Sequence, residues 1–204
     1  MVLYFTIDIL NTVKHLHNID IIHGAIKPEN LLLRNFPNVS RGWTVDYFAY
    51  ELPTLQLTNL AKSIDLTFFP KNARFICSKS TDRYQCIEMQ NGLPWSFHAD
   101  LYGIAFTIHC MIFGEYMDLN CRNGTWDIIR KIPRHFNAEI WNSVFHSLIN
   151  VSSEKFPDLY QMQSFLQEAL LTVKFEEFKL AVSNMKLLIE EDIIKKKPWL
   201  MGIS

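Results

Sequence analysis

The residues best equipped for chemistry in this 204-residue chain are gathered in one short run, His23-Gly24-Ala25-Ile26-Lys27-Pro28-Glu29-Asn30. It offers an imidazole, an ammonium group and an amide oxygen between two apolar runs, Ile19 to Ile22 and Leu31 to Leu33. Gly24 and Pro28 break both helix and strand, so the run is expected to be a loop joining two short strands. At its centre stands Ala25, whose methyl group can neither accept a proton nor orient a nucleophile. A positioned general base is worth roughly two to four powers of ten in rate. Taken alone, the run reads as an ordinary polar turn.

Other chemically able residues are scattered. His15 and His17 stand two apart on a helical pattern and so do not share a face, which argues against a metal site. His109 sits inside an apolar helix and reads as a core residue rather than a ligand. Cys77, Cys86, Cys110 and Cys121 form no CxxC pair and read as reduced structural thiols. Asp46, Glu51 and Asp65 could supply an acid pair, but no second constellation supports it. Lys195-Lys196-Lys197 is a solvated helix end beside the negative pole of the helix dipole. No metal site is expected.

The composition limits the possible classes. With 49% hydrophobic and 20% charged residues, the chain has the make-up of a soluble globular domain. A formal net charge of -1 leaves no electrostatic footprint for nucleic acid. The apolar start, Val2 to Leu10, carries Asp8 and has no basic leader, so it reads as a helix rather than a signal peptide. No apolar run approaches the ~18 residues of a membrane span. The chain is therefore expected to be neither secreted nor membrane-bound, and the sequons at Asn38, Asn123 and Asn150 carry no weight.

The elements that must hold the loop follow from periodicity. Val2, Phe5, Ile9, Val13 and Leu16 recur at steps of three and four, predicting an amphipathic helix that ends near Asn18. Asn35 to Pro53 predicts a loop with one marginal strand, Thr44 to Phe48. Leu55 to Leu57 predicts a further strand, and residues 62 to 99 an irregular stretch. From Asp100 a wide apolar face, Leu101, Ile104, Ala105, Ile108, Met111 and Ile112, marks a core helix. Trp126 to Arg130 and Ala138 to Ile149 predict two more. A last helix opens at Pro157-Asp158 and runs to Lys197 without glycine or proline. Its stripe is expected to pack on its own domain, with a docking or coiled-coil helix as the alternative.

In this setting the loop resembles the catalytic loop of protein kinases, H-R-D-x-K-P-x-N, at His23, Lys27, Pro28 and Asn30. The resemblance implies that Ala25 replaces the catalytic Asp, that Lys27 is a vestigial phosphoryl contact, and that Asn30 occupies a magnesium position. Leu55-Gln56-Leu57-Thr58 then leads into Asn59-Leu60-Ala61, which resembles a D-F-G turn with Asn59 at the other magnesium position. Cys86-Ile87-Glu88 resembles A-P-E, and Asp100-Leu101-Tyr102-Gly103 the opening of the helix that anchors the lobe. By resemblance, His23, Glu88 and Asp100 have structural roles, Asp100 binding the catalytic-loop backbone.

His23-Gly24, Lys62 to Leu66, Tyr84 to Met89, Pro94-Trp95, Cys110 to Gly114 and Ile140-Trp141-Asn142 narrow the resemblance to the Bub-type mitotic checkpoint kinases. The fold class this implies is mainly α, a kinase C-lobe over residues 1–175 with a helical extension over 176–204. The glycine-rich loop, strand lysine and helix glutamate of an N-lobe have no counterpart here, so the N-lobe is expected to be absent. ATP and magnesium serve the family, but neither is expected to act in this chain. The implied function is a pseudokinase or scaffold that meets checkpoint or kinetochore proteins in the nucleus, at kinetochores or in the cytoplasm. An active serine/threonine kinase completed by an N-lobe and a fragment without function are the alternatives. An exposed apolar upper face is expected, or its cover by Trp43, Tyr47, Phe48 and Tyr50.

Overall fold

The computed structural model describes residues 1–34, 54–77, 79, 81–152 and 156–196. Its first helix, α1 (Val2–Asn18), buries Phe5, Ile9, Leu10 and Val13 along one side. Beside it, β1 (Ile21–Ile22) leads into the loop, and a single 3-10 turn (Pro28–Asn30) leads out into β2 (Leu31–Arg34). β2 pairs antiparallel with β3 (Thr54–Leu57), and β1 with β4 (Ile64–Asp65). The two small ladders thus hold the loop from both ends.

The core is organised by α3 (His98–Phe113), where Leu101, Ile104, Ala105, Phe106 and Ile108 are all essentially inaccessible. A helix apolar on nearly every side must be surrounded. α1, α4 (Ala138–Ile149) and α5 (Leu159–Leu171) lie around this core, contributing Leu10, Trp141 and Leu166. The helix begins at His98, two residues before the expected start, because Ser96 to Phe97 already turn into it. Between residues 62 and 99 the expected irregular stretch contains β4, short 3-10 turns and the five-residue helix α2 (Ile87–Asn91).

Two expectations are corrected. Trp126 to Arg130 is not helical: Thr125–Ile128 is strand β6, paired with β5 (Leu119–Arg122). Asn123 and Gly124 both take positive φ, +52° and +80°, which suits the two-residue turn that closes such a hairpin. The long terminal helix is also interrupted, α5 ending at Leu171 and α6 (Phe175–Lys196) beginning four residues later. At the break the Thr172 hydroxyl donates to the Ala169 carbonyl, and the Thr172 and Val173 amides make short-range turn bonds. The re-aimed α6 can then bury Phe178 and Val182 against Met1, Tyr4, Leu170 and Val173.

The expected strand at Thr44 to Phe48 and the aromatic cluster Trp43, Tyr47, Phe48 and Tyr50 lie outside the described residues. Within them no helix is long and apolar enough to cross a membrane. The four cysteines are free.

Candidate functional site

The loop is held from below by Asp100, which has no exposed surface. One carboxylate oxygen accepts from the His23 amide at 2.8 Å, the other from the Gly24 amide at 2.7 Å. The His17 ring adds a third bond through Nε2 at 2.9 Å. A carboxylate removed from water needs such a set of donors, and charge-assisted bonds of this kind are the strong ones. The start of α3, the end of α1 and the loop are therefore joined at one buried group. Sequence reasoning weighed His17 only as half of an unlikely metal pair with His15 and missed this contact, because the partner lies 83 positions away.

Two glycines allow the loop to lie this close. Gly24 has φ +72°, and a Cβ there would meet the Lys62 carbonyl oxygen at 2.6 Å. Gly103 faces the loop from α3, where a Cβ would come within 2.7 Å of the Ile26 carbonyl oxygen. Both distances are below any tolerable contact, so glycine is needed at each position. The Ser63 hydroxyl adds a bond to the His23 carbonyl at 3.2 Å.

His23 is fully buried and bonded on both ring nitrogens. Its Nδ1 accepts from the Ala25 amide at 3.3 Å, which places the ring proton on Nε2, bonded to the Thr58 carbonyl at 3.1 Å. Burial pushes the imidazole pKa below its ordinary value, outweighing the upward pull of Asp100 and of the Thr58 carbonyl. A neutral ring in a fixed tautomer ties the loop to the segment after β3. It is not placed to shuttle protons.

At the far end of the loop Asn30 is engaged on all sides. Its Nδ2 donates to the Ala25 carbonyl at 2.7 Å, and its own carbonyl accepts from the Thr58 amide at 2.9 Å and the Thr58 hydroxyl at 3.1 Å. Its Oδ1 accepts from Asn59 Nδ2 at 3.1 Å. Asn59 takes the left-handed conformation, φ +66°, which asparagine tolerates better than most residues. The structure therefore brings Ala25, Asn30 and Asn59 together, and the two amides expected at magnesium positions bond to each other.

Lys27 and Lys62 approach one aromatic ring, their ammonium groups 4.5 and 5.2 Å from the centroid of Tyr84. Cation–π attraction holds both beside the loop. Tyr84 was noticed in the sequence only as part of the run leading to Glu88; its role under two cations could not be read from spacing. Glu88 lies in the first turn of α2, half-buried, and its carbonyl accepts from the Leu93 amide at 2.8 Å. Its charge raises the pKa of His98, though burial of that ring wins and leaves the pKa below the ordinary value. The Cys86 thiol is pushed well above its usual range, chiefly by burial, so it stays protonated and inert.

Chemically, the site retains an ammonium group and two neutral amides. Magnesium prefers charged oxygen ligands in octahedral array, and an Asn30–Asn59 pair bonded to itself beside Ala25 does not fit that ion. No group of three or more His, Cys, Asp or Glu side chains poised to hold a metal occurs among the described residues.

No family model matches the chain. Over 202 residues it is 32% identical to the mitotic checkpoint serine/threonine-protein kinase BUB1 of Mus musculus, covering 96% of this chain and 16% of that protein. It is 31% identical over 170 residues to the spindle assembly checkpoint serine/threonine-protein kinase bub1 of Schizosaccharomyces pombe, covering 77% of this chain and 16% of that one. The chain thus spans about a sixth of the length of these curated relatives. Among solved structures, the BubR1 kinase domain matches with a TM-score of 0.71 at 32% identity, over 90% of this chain and 52% of that chain. The expected fold class holds: these are the helices and short strands of a kinase C-lobe. The chain belongs to the Bub-type mitotic checkpoint kinase family, as a divergent C-lobe of its kinase domain.

Proposed function

We propose that the chain is a catalytically silent C-lobe that serves the spindle checkpoint through protein–protein contacts at kinetochores. The observation that carries this reading is the bonded pair Asn30–Asn59 beside the buried methyl of Ala25. In a working kinase, carboxylates at the positions of Ala25 and Asn59 would orient the substrate hydroxyl and hold the metal that bridges the nucleotide phosphates. Here the same backbone frame is kept, and Asp100 with His23 secures it, while neither charge is present. Lys27 is then a remnant that packs on Tyr84. The checkpoint assignment rests on the relatives, whose names place them in mitotic and spindle checkpoints.

A fluorescently tagged chain in mitotic cells tests the scaffold role. It is expected to concentrate at kinetochores, and Lys27→Ala is expected to leave that concentration unchanged. A diffuse signal, or a kinetochore signal lost with Lys27→Ala, would contradict the reading.

A further inference from the structure

The turn that follows β3 must be held by something other than burial. Asn59 enters it in the left-handed conformation, φ +66° and ψ +68°, and a single 3-10 turn (Leu60–Lys62) carries it on. Asn59, Leu60, Ala61 and Lys62 are all exposed, and Leu60, the large apolar residue among them, has 62% of its surface in solvent. Hydrophobic packing within the turn therefore contributes little. An exposed segment of this kind opens locally unless polar bonds close it.

Those bonds converge on the loop. Before the turn, the Thr58 amide and hydroxyl both donate to the Asn30 carbonyl, and the Thr58 carbonyl accepts from His23 Nε2. After it, the Ser63 hydroxyl donates to the His23 carbonyl. Within it, Asn59 Nδ2 donates to Asn30 Oδ1 at 3.1 Å. Asn30 is only 5% exposed, and its Nδ2 is committed to the Ala25 carbonyl at 2.7 Å, so its Oδ1 is fixed facing the turn as an acceptor. A buried acceptor left without a donor is costly, and Asn59 supplies that donor.

The family resemblance puts these two side chains at the magnesium positions. A carboxylate at residue 59 would face Asn30 Oδ1 oxygen to oxygen, and a cation would be required to join the two segments. With an amide at residue 59 the join is direct. We propose that the Asn30–Asn59 bond is a latch in place of the metal, closing the turn onto the loop in one conformation that depends on neither magnesium nor nucleotide. A partner meeting this face, where Leu60 and Lys62 are exposed, then finds the same surface at every metal and nucleotide level. The inference rests on the proposed silence of the site and assigns it a fixed shape rather than a switch.

Amide hydrogen exchange followed by NMR on the whole chain tests it. The reporters are the Thr58 and Ser63 amides, which donate to the Asn30 and Leu60 carbonyls. In the parent their exchange is expected to stay the same when millimolar magnesium is added, with or without ATP. Asn59→Gly keeps the left-handed backbone and removes the donor. Both amides should then exchange about three- to tenfold faster, the weight of one hydrogen bond, while those of α3 keep their protection. Asn59→Asp separates the lost bond from the added freedom of glycine. It sets a carboxylate against Asn30 Oδ1 and should speed exchange at least as much, with magnesium slowing it again. The latch is overturned if magnesium slows exchange in the parent, if Asn59→Gly exchanges as the parent does, or if Asn59→Asp without metal is as protected as the parent. Exchange reads order and neither phosphoryl transfer nor kinetochore residence, so the latch can fail while the silent-site reading stands, and the reverse.

Discussion

Asp100 concentrates more of the architecture in one side chain than any other residue near the loop. Its two oxygens take the amides of His23 and Gly24 and the ring of His17 with no water access. Asp100→Ala would strand three donors in the interior. Breaking such a buried charged set costs about 3 kcal/mol or more, which for a domain of this size lowers the melting temperature by roughly 6 to 12 °C. A melting curve that does not move would mean that these bonds carry no stability. The histidines make a second expectation, with a definite sign. His23, His98 and His109 all have pKa values lowered by burial. For His109 the ring packs against Phe113, and Nε2 is buried without a partner, so a proton there would be poorly placed. The unfolded chain takes up protons near the ordinary histidine value of about 6.5, where the folded chain still refuses them. Stability is therefore full above that pH and falls as pH drops below it, levelling off only below the lowered folded values. Asp8, raised by burial, acts in the opposite sense in the lower carboxylate range. Melting temperature is expected to decline between pH 7.5 and 5.5, with a shallower decline in His109→Leu. An equal slope in that variant would remove His109 from the account.

Among the elements, α1, α3 and α4 were readable because each carries a long apolar pattern at helical spacing, and Leu101 to Ile112 could hardly be anything but a core helix. The loop order from His23 to Asp100 was readable for a different reason, since motif spacing survives even where the chemistry does not. What failed was local. Asp127, Ile128 and Ile129 fit a helical turn as well as a strand, and the Asn123-Gly124 turn that decides between them stands just outside the run that was read. The break at Thr172 left no mark in periodicity, because neither glycine nor proline is present; it is set by the need to turn α6 toward Tyr4. The contacts His17–Asp100 and Lys27–Tyr84 depend on long-range packing and have no local signature. The expected division into a lobe over 1–175 and a helical extension over 176–204 leads to a test at α6. Its described packing is a small cluster centred on Phe178 and Val182, separate from the main core. Val182→Asp is expected to release the start of α6, so that its amides exchange rapidly while those of α3 keep their protection. Loss of protection in both helices together would show that α6 belongs to the same cooperative unit.

For the molecule as a whole, frame and chemistry have parted. The glycines that let α3 and the Lys62 segment press against the loop are present, as are the buried aspartate and the fixed histidine. The two positions to which the family resemblance assigns charge acting on a phosphoryl group hold Ala25 and Asn59. On the proposed reading the chain's work is done on its surface, where Leu32, Leu60, Phe68 and Ile76 are all more than half exposed. The silence of the site is tested most directly by transfer of radiolabelled phosphate from magnesium-ATP to a generic protein substrate. The measurement is made on this chain alone and on the chain joined to the kinase N-lobe of the mouse relative, so that transfer needing nucleotide contacts from outside these 204 residues is also detected. The account predicts no transfer above background in either form. Transfer by the joined form that disappears with Lys27→Ala would contradict it.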